Sequence, residues 1–185
     1  MANELQGRKV AILIAPIGTE QVEFVQPKQA VEAEGATVEA IGIQTGEAQA
    51  MNNDTEMGDT FTVDKAVTDV SPDEYDALIV PGGTVGADNL RADPNVVEFV
   101  RGFFEQAKPV GVICHGPWTL VEADVVRGRR ITSFPSVRTD LRNAGAEVVD
   151  EEVVQDGNII TSRNPDDLPA FCDAVVRELS AVHAR

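Results

Sequence analysis

The sequence predicts an α/β fold in which a mainly parallel sheet carries helices on both faces. Three short apolar runs, each of a length suited to a buried strand, alternate with segments of helical spacing: RKVAILIAP (8–16), EYDALIVPGG (74–83) and PVGVICHG (109–116). Strands of a parallel sheet are buried on both faces, and the connection between two of them is usually a helix. In such folds the ligand crevice lies at the carboxyl ends of the strands, so residues directly after these runs are the candidates for function.

Helices are predicted in the segments that connect and follow these runs. In the first segment, Pro27 lies inside the helical pattern, where it should kink the helix or mark a second start, and Gly35 ends it. In the second, Asp93 is placed to cap the helix and Pro94 to occupy its first position. The predicted helices span residues 19–35, 93–108, 117–123, 136–145 and 164–179.

Further strands are predicted from alternation and from turn residues. Residues 36–43 alternate like a strand, and residues 129–134 are predicted as another. Residues 146–162 predict a β-hairpin, because Asp156 and Gly157 are the residue types that a tight turn requires. No linker, repeat or low-complexity tract interrupts the pattern, so residues 1–185 are predicted to form a single domain.

Composition and charge exclude several classes of partner. The formal net charge is −16, which repels nucleic acid phosphates and anionic membrane surfaces. No apolar run approaches the ~20 residues of a membrane helix, and the first residues are polar rather than signal-like. Two cysteines in 185 residues do not make a disulfide framework. We therefore expect a cytoplasmic protein with no nucleic acid or membrane partner.

Cys114 and His115 stand side by side at the end of the third apolar run, in a chain with only two cysteines and two histidines. The order of strand, sharp turn and helix is that of a nucleophile elbow. The helix N-terminus favours a thiolate, and its free N–H groups can hold an oxyanion. His115 can act as the base or, as an imidazolium, stabilise the thiolate. The alternative for Cys114 is a small buried apolar side chain at a strand end.

The other cysteine and the other histidine have simpler interpretations. Cys172 lies on an amphipathic terminal helix, where a core position is predicted. His183 lies in the C-terminal tail and is predicted to be solvated. Cys114 and His115 are then the one Cys/His pair available for chemistry.

Acidic residues follow the first and second apolar runs. Glu20 and Glu23 are three apart, so both can project from one face of the first helical turn. The alternative is that they only complement the helix dipole, which is worth ~0.3–1 kcal/mol each. Asp88, in the segment PGGTVGADNLR, could orient a histidine, or it could be a surface acid in a turn. The glycines of that segment allow the backbone to approach a ligand closely.

In these residues the sequence resembles the DJ-1/PfpI family, within the class I glutamine amidotransferase-like superfamily. It resembles in particular the branch of PfpI-like intracellular proteases and general stress proteins. The resemblance covers nearly the whole chain and rests on KVAILIAPIGTEQVEFVQP (9–27), DALIVPGG (76–83) and the long segment 108–171, which begins KPVGVICHGPW. It implies a flavodoxin-like three-layer α/β/α sandwich with a mainly parallel central sheet.

The resemblance also implies residue roles. Cys114 corresponds to the essential cysteine, His115 to the histidine after it, and Glu23 to a glutamate that hydrogen-bonds the cysteine in its protonated form. Asp88 corresponds to an acid that a neighbouring subunit adds to a Cys-His-Asp/Glu triad. The cysteine turn of the family has strained backbone, so a positive φ is expected at Cys114. The residues expected to hold the oxyanion or bind substrate are Glu20, Gly83, Gly116 and Trp118.

The function that the resemblance implies is a cysteine-dependent stress-response hydrolase. Its activity would be that of a PfpI-like peptidase, a protein deglycase or a glyoxalase III-like enzyme, acting on peptides or small carbonyl adducts. The resemblance implies a homodimer or a dimer-based hexamer, and no cofactor or metal. The alternative is a redox sensor or stress chaperone that uses oxidation of Cys114 without turnover. A glutaminase is a weaker hypothesis, because that class needs a late histidine and only His183 is available.

Overall fold

The computed structural model describes residues 3–182, which form twelve strands and six α-helices. The strands are β1 (Lys9–Leu13), β2 (Ile17–Glu20), β3 (Thr37–Gly42), β4 (Gly46–Asn52), β5 (Glu56–Val63), β6 (Lys65–Ala66), β7 (Ala77–Val80), β8 (Val110–Ile113), β9 (Arg130–Ile131), β10 (Glu147–Val148), β11 (Val154–Asp156) and β12 (Ile159–Ser162). The helices are α1 (Gln21–Ala33), α2 (Thr84–Ala92), α3 (Pro94–Glu105), α4 (Pro117–Glu122), α5 (Arg138–Asn143) and α6 (Leu168–Val182).

Seven strands form the central sheet in the order β11-β12-β8-β7-β1-β3-β6. All of its neighbouring strands run parallel except β11 and β12, which are antiparallel. In register, Ile12 of β1 lies between Ala40 of β3 and Ile79 of β7. Because consecutive side chains of a strand point to opposite faces, an apolar run such as β1 supplies two cores at once.

The two faces of the sheet carry separate apolar cores. Ala11 and Leu13 of β1 pack with the side of the sheet covered by α3, α4 and α5, where Phe103 is a fully buried member. Ile12 packs on the other side, where α1 and α6 contribute Phe24 and Phe171. The predicted three-layer α/β/α sandwich with a mainly parallel sheet is therefore confirmed.

Most of the predicted elements are present, with changes at their edges. Asp93 caps α3 as predicted, since its carboxylate accepts hydrogen bonds from the amides of Asn95 (2.8 Å) and Val96 (3.1 Å). Helix α1 continues through Pro27 without a second start. The predicted hairpin of 146–162 is shorter in the structure, because β10 pairs with β9 and only β11 and β12 form the antiparallel pair.

One hairpin was not predicted, and it borders the site. Strands β4 and β5 pair antiparallel next to β2 and make a separate three-stranded sheet. Two turn residues between them, Asn53 (φ +51°) and Asp54 (φ +63°), adopt left-handed backbone conformations. No helix within residues 3–182 combines the length and apolar character needed to cross a bilayer.

Candidate active site

Cys114 follows directly on β8 and precedes α4, so the predicted order of strand, turn and helix is present. Its φ is +64°, which confirms the predicted strained backbone. Two backbone hydrogen bonds hold this conformation: the Cys114 amide donates to the carbonyl of Ser162 (3.1 Å), and the Phe134 amide donates to the carbonyl of Cys114 (2.9 Å). The thiol is nearly buried, with 6% of the residue exposed.

His115 lies beside the thiol, with Nδ1 of its ring 3.2 Å from Sγ of Cys114. The ring stacks on Phe134 at a centroid distance of 4.5 Å and an interplanar angle of 26°, and the edge of Trp118 lies at 5.2 Å. This packing buries the imidazole, and burial lowers the pKa of His115. The negative charge of Asp54 acts in the opposite direction and raises it by less. A neutral imidazole at neutral pH can accept a proton from the thiol.

Glu23 is fully buried in the first turn of α1. Its Oε1 accepts a hydrogen bond from the Gly82 amide (3.0 Å), while Oε2 is buried and has no partner with hydrogen-bond geometry. Burial, with a smaller contribution from the charge of Glu20, raises the pKa of Glu23 from 4.5 to about 8, and its interaction with Cys114 opposes this. The protonated carboxyl is therefore the main form at neutral pH.

The Cys114 thiol has its own pKa raised, first by burial and then by the charge of Glu23. The amides of Gly83 and His115 act in the opposite direction on the sulfur. The expectation of a low-pKa thiolate therefore does not describe the resting site. The geometry instead places a neutral thiol next to a neutral base, so that deprotonation accompanies attack.

Glu20 connects the site to the β4–β5 turn. Its Oε1 accepts a hydrogen bond from the Asn53 amide (2.8 Å) and its Oε2 one from the Asp54 amide (3.2 Å). Glu20 is thus engaged on both oxygens and fixes the two left-handed turn residues. Asp54 in turn accepts hydrogen bonds from the amide (2.7 Å) and the hydroxyl (2.9 Å) of Thr84, the first residue of α2.

A small pocket opens over the sulfur. It has a volume of about 220 Å³. It is lined by Glu20, Glu23, Asn53, Asp54, Gly83, Cys114, Phe134 and Pro165. Carboxyl groups from β2, α1 and the β4–β5 turn converge with a nucleophile on one cavity, which is the usual arrangement of a small-molecule site.

Comparison with known proteins shows the family of this chain. The model of the DJ-1/PfpI family matches residues 8–178. The chain belongs to the DJ-1/PfpI family. It is 43% identical over 164 residues to YraA of Bacillus subtilis (strain 168), named as a candidate cysteine protease, covering 89% of this chain and 94% of YraA. It is 42% identical over 175 residues to Protein/nucleic acid deglycase 2 of Escherichia coli (strain K12), covering 94% of this chain and 99% of that protein.

A solved structure supports the family assignment at the level of the fold. It is a two-domain protein of Anabaena variabilis with DJ-1/ThiJ/PfpI-like and ferritin-like domains. The TM-score is 0.87 and the sequence identity 38%. The match covers 93% of this chain but only 48% of the two-domain chain, so this chain spans about half of that protein's length.

The family-derived positions are not all brought together within one chain. Cys114, Glu23, Glu20 and Gly83 line the pocket, and His115 contacts the Cys114 thiol but is not among the lining residues.

Three further positions lie around it. Asp88 lies on α2 with its side chain exposed. Trp118 packs on His115 and donates from Nε1 to Asp140 (2.8 Å), and it is not among the residues that line the pocket. Gly116 is buried in the turn before α4.

Four residues around the imidazole of His115 were not predicted from the sequence. Asp54, Thr84, Ser136 and Phe134 all contact the imidazole or its hydrogen-bond partner. A signal for Asp54 was present, because GEAQAMNNDTEMGDTFTV (46–63) carries turn residues between two alternating segments, as in a hairpin. The other three carried no recognisable pattern, since their role depends on which loops meet in space.

The second cysteine belongs to the apolar core that α1 and α6 cover. Cys172 is buried on α6 with 9% exposed, and both cysteines are free, as expected for a core position and for a chain without disulfides. His183 lies outside the described residues. Within residues 3–182, His, Cys, Asp and Glu side chains do not form a group of three or more that could hold a metal ion.

Proposed function

We propose that this chain is a cysteine-dependent hydrolase that acts on small carbonyl adducts, with Cys114 as nucleophile. The observation that carries the proposal is the 3.2 Å contact between Sγ of Cys114 and Nδ1 of His115, beside the buried carboxyl of Glu23. The names of two relatives, a candidate cysteine protease and a deglycase, support the same reaction class. The proposal covers peptidase, deglycase and glyoxalase III-like activity and favours the last two.

The proposed reaction begins with attack of Sγ on an electrophilic carbonyl carbon. The thiol proton passes to Nδ1 of His115, a C–S bond forms, and the carbonyl π electrons move to oxygen. The amides of Gly83 and His115, which already act on the sulfur, are the donors proposed to stabilise that oxyanion. Protonated Glu23 supplies a proton near the same atoms.

With methylglyoxal as substrate, the steps balance without an external oxidant. After Cys114 adds to the aldehyde, the Glu23 proton passes to the oxyanion, which gives a hemithioacetal and leaves Glu23 as a carboxylate. This carboxylate transfers the C1 hydrogen to C2 as a proton, which gives a thioester. Water hydrolyses that thioester to lactate and regenerates the thiol. The net reaction is methylglyoxal plus water to lactate and a proton, and a further proton freed on hydrolysis restores the Glu23 carboxyl.

The size of the pocket favours small substrates over peptides. A volume of about 220 Å³ accommodates a three-carbon dicarbonyl or the tip of a modified side chain. Hydrolysis of an extended peptide requires a longer cleft around the nucleophile. We therefore place adducts of small carbonyl compounds before peptides as substrates.

Asp88 is proposed to act in a neighbouring copy of the chain. It is exposed on α2, and Val85, one helical turn before it, is a large apolar side chain that is 50% exposed. An exposed apolar residue next to an acid suits an interface between copies. We propose a homodimer, or a hexamer built from dimers, in which Asp88 approaches the partner's site.

Two free cysteines suit the reducing cytoplasm, where we place the protein.

The test is consumption of methylglyoxal and formation of lactate by wild type, Cys114→Ser and Cys172→Ser over many turnovers. Wild type and Cys172→Ser should form many lactates per chain, and Cys114→Ser none, with little change in thermal stability. Equal turnover by Cys114→Ser would exclude the mechanism. Glycated peptide and unmodified peptide substrates, used in the same assay series, separate deglycase from peptidase activity.

A single stoichiometric reaction that leaves Cys114 oxidised would instead indicate the redox sensor or stress chaperone. The burial of the thiol and its raised pKa argue against that function, because oxidation is favoured at exposed thiolates.

A further inference from the structure

The Nε2 side of His115 faces a polar chain of groups that the chemistry at the sulfur does not use. Nε2 lies 3.3 Å from Oγ1 of Thr84, and the same hydroxyl lies 2.9 Å from Oδ2 of Asp54. Oδ1 of Asp54 accepts from the Thr84 amide (2.7 Å), so the carboxylate is held against Thr84 at two points. We propose that Asp54 is a positioning residue of the same chain, which fixes the tautomer of His115 through the Thr84 hydroxyl.

The count of donors along this path determines the hydrogen positions. A carboxylate can only accept, so Thr84 must donate its single hydroxyl hydrogen to Asp54. Oγ1 of Thr84 can then only accept from Nε2 of His115. In a neutral imidazole with the hydrogen on Nε2, Nδ1 is unprotonated and can accept the thiol proton of Cys114. Asp54 thereby makes Nδ1 the base.

The structure around Asp54 holds the carboxylate in this position. Asp54 lies at the turn between β4 and β5, where both Asn53 and Asp54 have positive φ. Glu20 accepts hydrogen bonds from both amides, at 2.8 and 3.2 Å, and so fixes the turn to the end of β2. Left-handed conformations cost energy at non-glycine residues and persist where surrounding contacts fix them.

A second hydroxyl reaches the same nitrogen without selecting a tautomer. Oγ of Ser136 lies 3.3 Å from Nε2 of His115 and can either donate or accept. Thr84 differs from Ser136 because its hydrogen is already directed to a carboxylate. The alternative role for Asp54 is structural only, since its Oδ1 also binds the first amide of α2.

Asp54→Asn is expected to reverse the donor and acceptor roles in the hydrogen bonds that link residue 54, Thr84 and His115. The Thr84 amide can only donate, so the single amide oxygen of the new side chain must face it. The new NH₂ group then donates to the Thr84 hydroxyl, which is left to donate to Nε2 of His115. The hydrogen of the imidazole moves to Nδ1, and that nitrogen can no longer accept the thiol proton.

The tautomer can be measured directly on the full chain. The sequence has two histidines, so long-range ¹H–¹⁵N spectra contain two imidazoles, and His183→Gln assigns His115. At pH 7.5 we expect the Nε2–H form in wild type and in Thr84→Ser, and a shift toward Nδ1–H in Asp54→Asn. An Nδ1–H form in wild type, or an unchanged tautomer in Asp54→Asn, overturns the proposal even if the activity falls.

The activity measurement rests on the proposed function, whereas the tautomer measurement does not. With methylglyoxal, Asp54→Asn and Thr84→Val should lower kcat/KM by at least about tenfold, and Thr84→Ser should retain the wild-type value. Glu56→Gln, which removes a charge from the same hairpin, should not change it. Wild-type kinetics in Asp54→Asn contradict the positioning role. If wild type shows no Cys114-dependent turnover, the proposed function is contradicted, whereas the tautomer result still stands.

Discussion

Oε1 of Glu23 accepts a 3.0 Å hydrogen bond from the backbone amide of Gly82, so the carboxyl on α1 is tied to the loop after β7. This contact anchors one oxygen of a fully buried acid that interacts with the Cys114 thiol, and the other oxygen has no hydrogen-bond partner. The buried carboxyl and the close approach of Gly82 both have measurable consequences.

Glu23 should make the protein less stable as the pH rises. Its pKa is raised from 4.5 to about 8, so between these values the folded chain holds a proton that the unfolded chain has released. The unfolded state then binds fewer protons, and the free energy of unfolding falls with increasing pH across this window. The full pKa shift of Glu23 corresponds to roughly 5 kcal/mol, so we expect the free energy of unfolding to fall by a few kcal/mol across this window.

Glu23→Gln removes this dependence, because an amide of the same shape does not titrate. Urea unfolding of wild type and Glu23→Gln at pH 5, 7 and 9 measures the effect. The stability difference between the two proteins should change in favour of the variant as the pH rises. Parallel pH curves would show that the carboxyl is not protonated in the fold.

The pH dependence of turnover should have an acid limb and a basic limb, and each limb should arise from a different titrating group. Burial lowers the pKa of His115, so the base remains neutral below its ordinary value of 6.5 and the acid limb of kcat/KM should lie below pH 6.5. Ionisation of Glu23 near pH 8 removes a proton donor and repels a developing thiolate, which gives the basic limb.

Rates measured with methylglyoxal from pH 4.5 to 9.5 check both limbs. In Glu23→Gln the rate should be lower but without the fall near pH 8, and Cys114 should react with iodoacetamide at lower pH, since the repelling charge is gone. A basic limb that survives this substitution belongs to another group. The two limbs are properties of a coupled site, so the variant is needed to assign them.

Gly82→Ala should damage both the fold and the site. A Cβ at this position would lie 2.6 Å from Oε1 of Glu23, 2.8 Å from Cβ of Cys114 and 2.9 Å from the amide nitrogen of His115. Relief of these contacts displaces the three groups and is expected to cost about 1–3 kcal/mol of stability and most of the activity.

Gly7→Ala is the matched control for this substitution. Gly7 has φ +82°, so alanine is strained there by about 1 kcal/mol, but a Cβ meets no atom within 4 Å. Thermal unfolding and kcat should show a modest loss of stability with full activity for Gly7→Ala. Full activity in Gly82→Ala would mean that the site tolerates a shift of Glu23 relative to Cys114.

The sequence predicted the parts of this fold that depend on local pattern. Continuous apolar runs at β1, β7 and β8 identify buried strands, and the position of Cys114 after β8 follows from that assignment. The short β2 and the β4–β5 hairpin were missed, because their mixed polar sequence lies at the edge of the domain, where periodicity is weak.

The environment of the site depended on contacts that no pattern specifies. His115 was predicted beside Cys114 from its position in the sequence, and Glu23 from the resemblance to the DJ-1/PfpI family. Strand order added only that the residues after the apolar runs meet at one edge of a parallel sheet. The contact of Asp54 with Thr84 joins the β4–β5 turn to the first residue of α2, thirty positions further along the sequence. The raised pKa of Cys114 likewise arises from burial, which the position of a cysteine after a strand does not determine.

Asp54 and Asp88 are proposed to act on His115 from different chains. Asp54 reaches His115 through Thr84 of the same chain, whereas Asp88 is exposed on α2 and would act from a neighbour. Asp88→Asn should lower activity and leave the oligomer unchanged in sedimentation. Glu105→Gln, an exposed acid on α3, serves as the charge control and should have no effect. Wild-type rates in Asp88→Asn would remove Asp88 from the mechanism.

Mixing of inactive chains distinguishes the two positions. In a heterodimer of Cys114→Ser with Asp88→Asn, the intact Cys114 of one chain meets the intact Asp88 of the other, so up to one complete site forms per dimer. Activity should therefore rise on mixing and subunit exchange. In a mixture of Cys114→Ser with Asp54→Asn, every chain that keeps Cys114 has lost its own Asp54, and no complete site forms. Recovery in the second mixture would mean that Asp54 acts across the interface, and no recovery in the first would exclude a shared site involving Asp88.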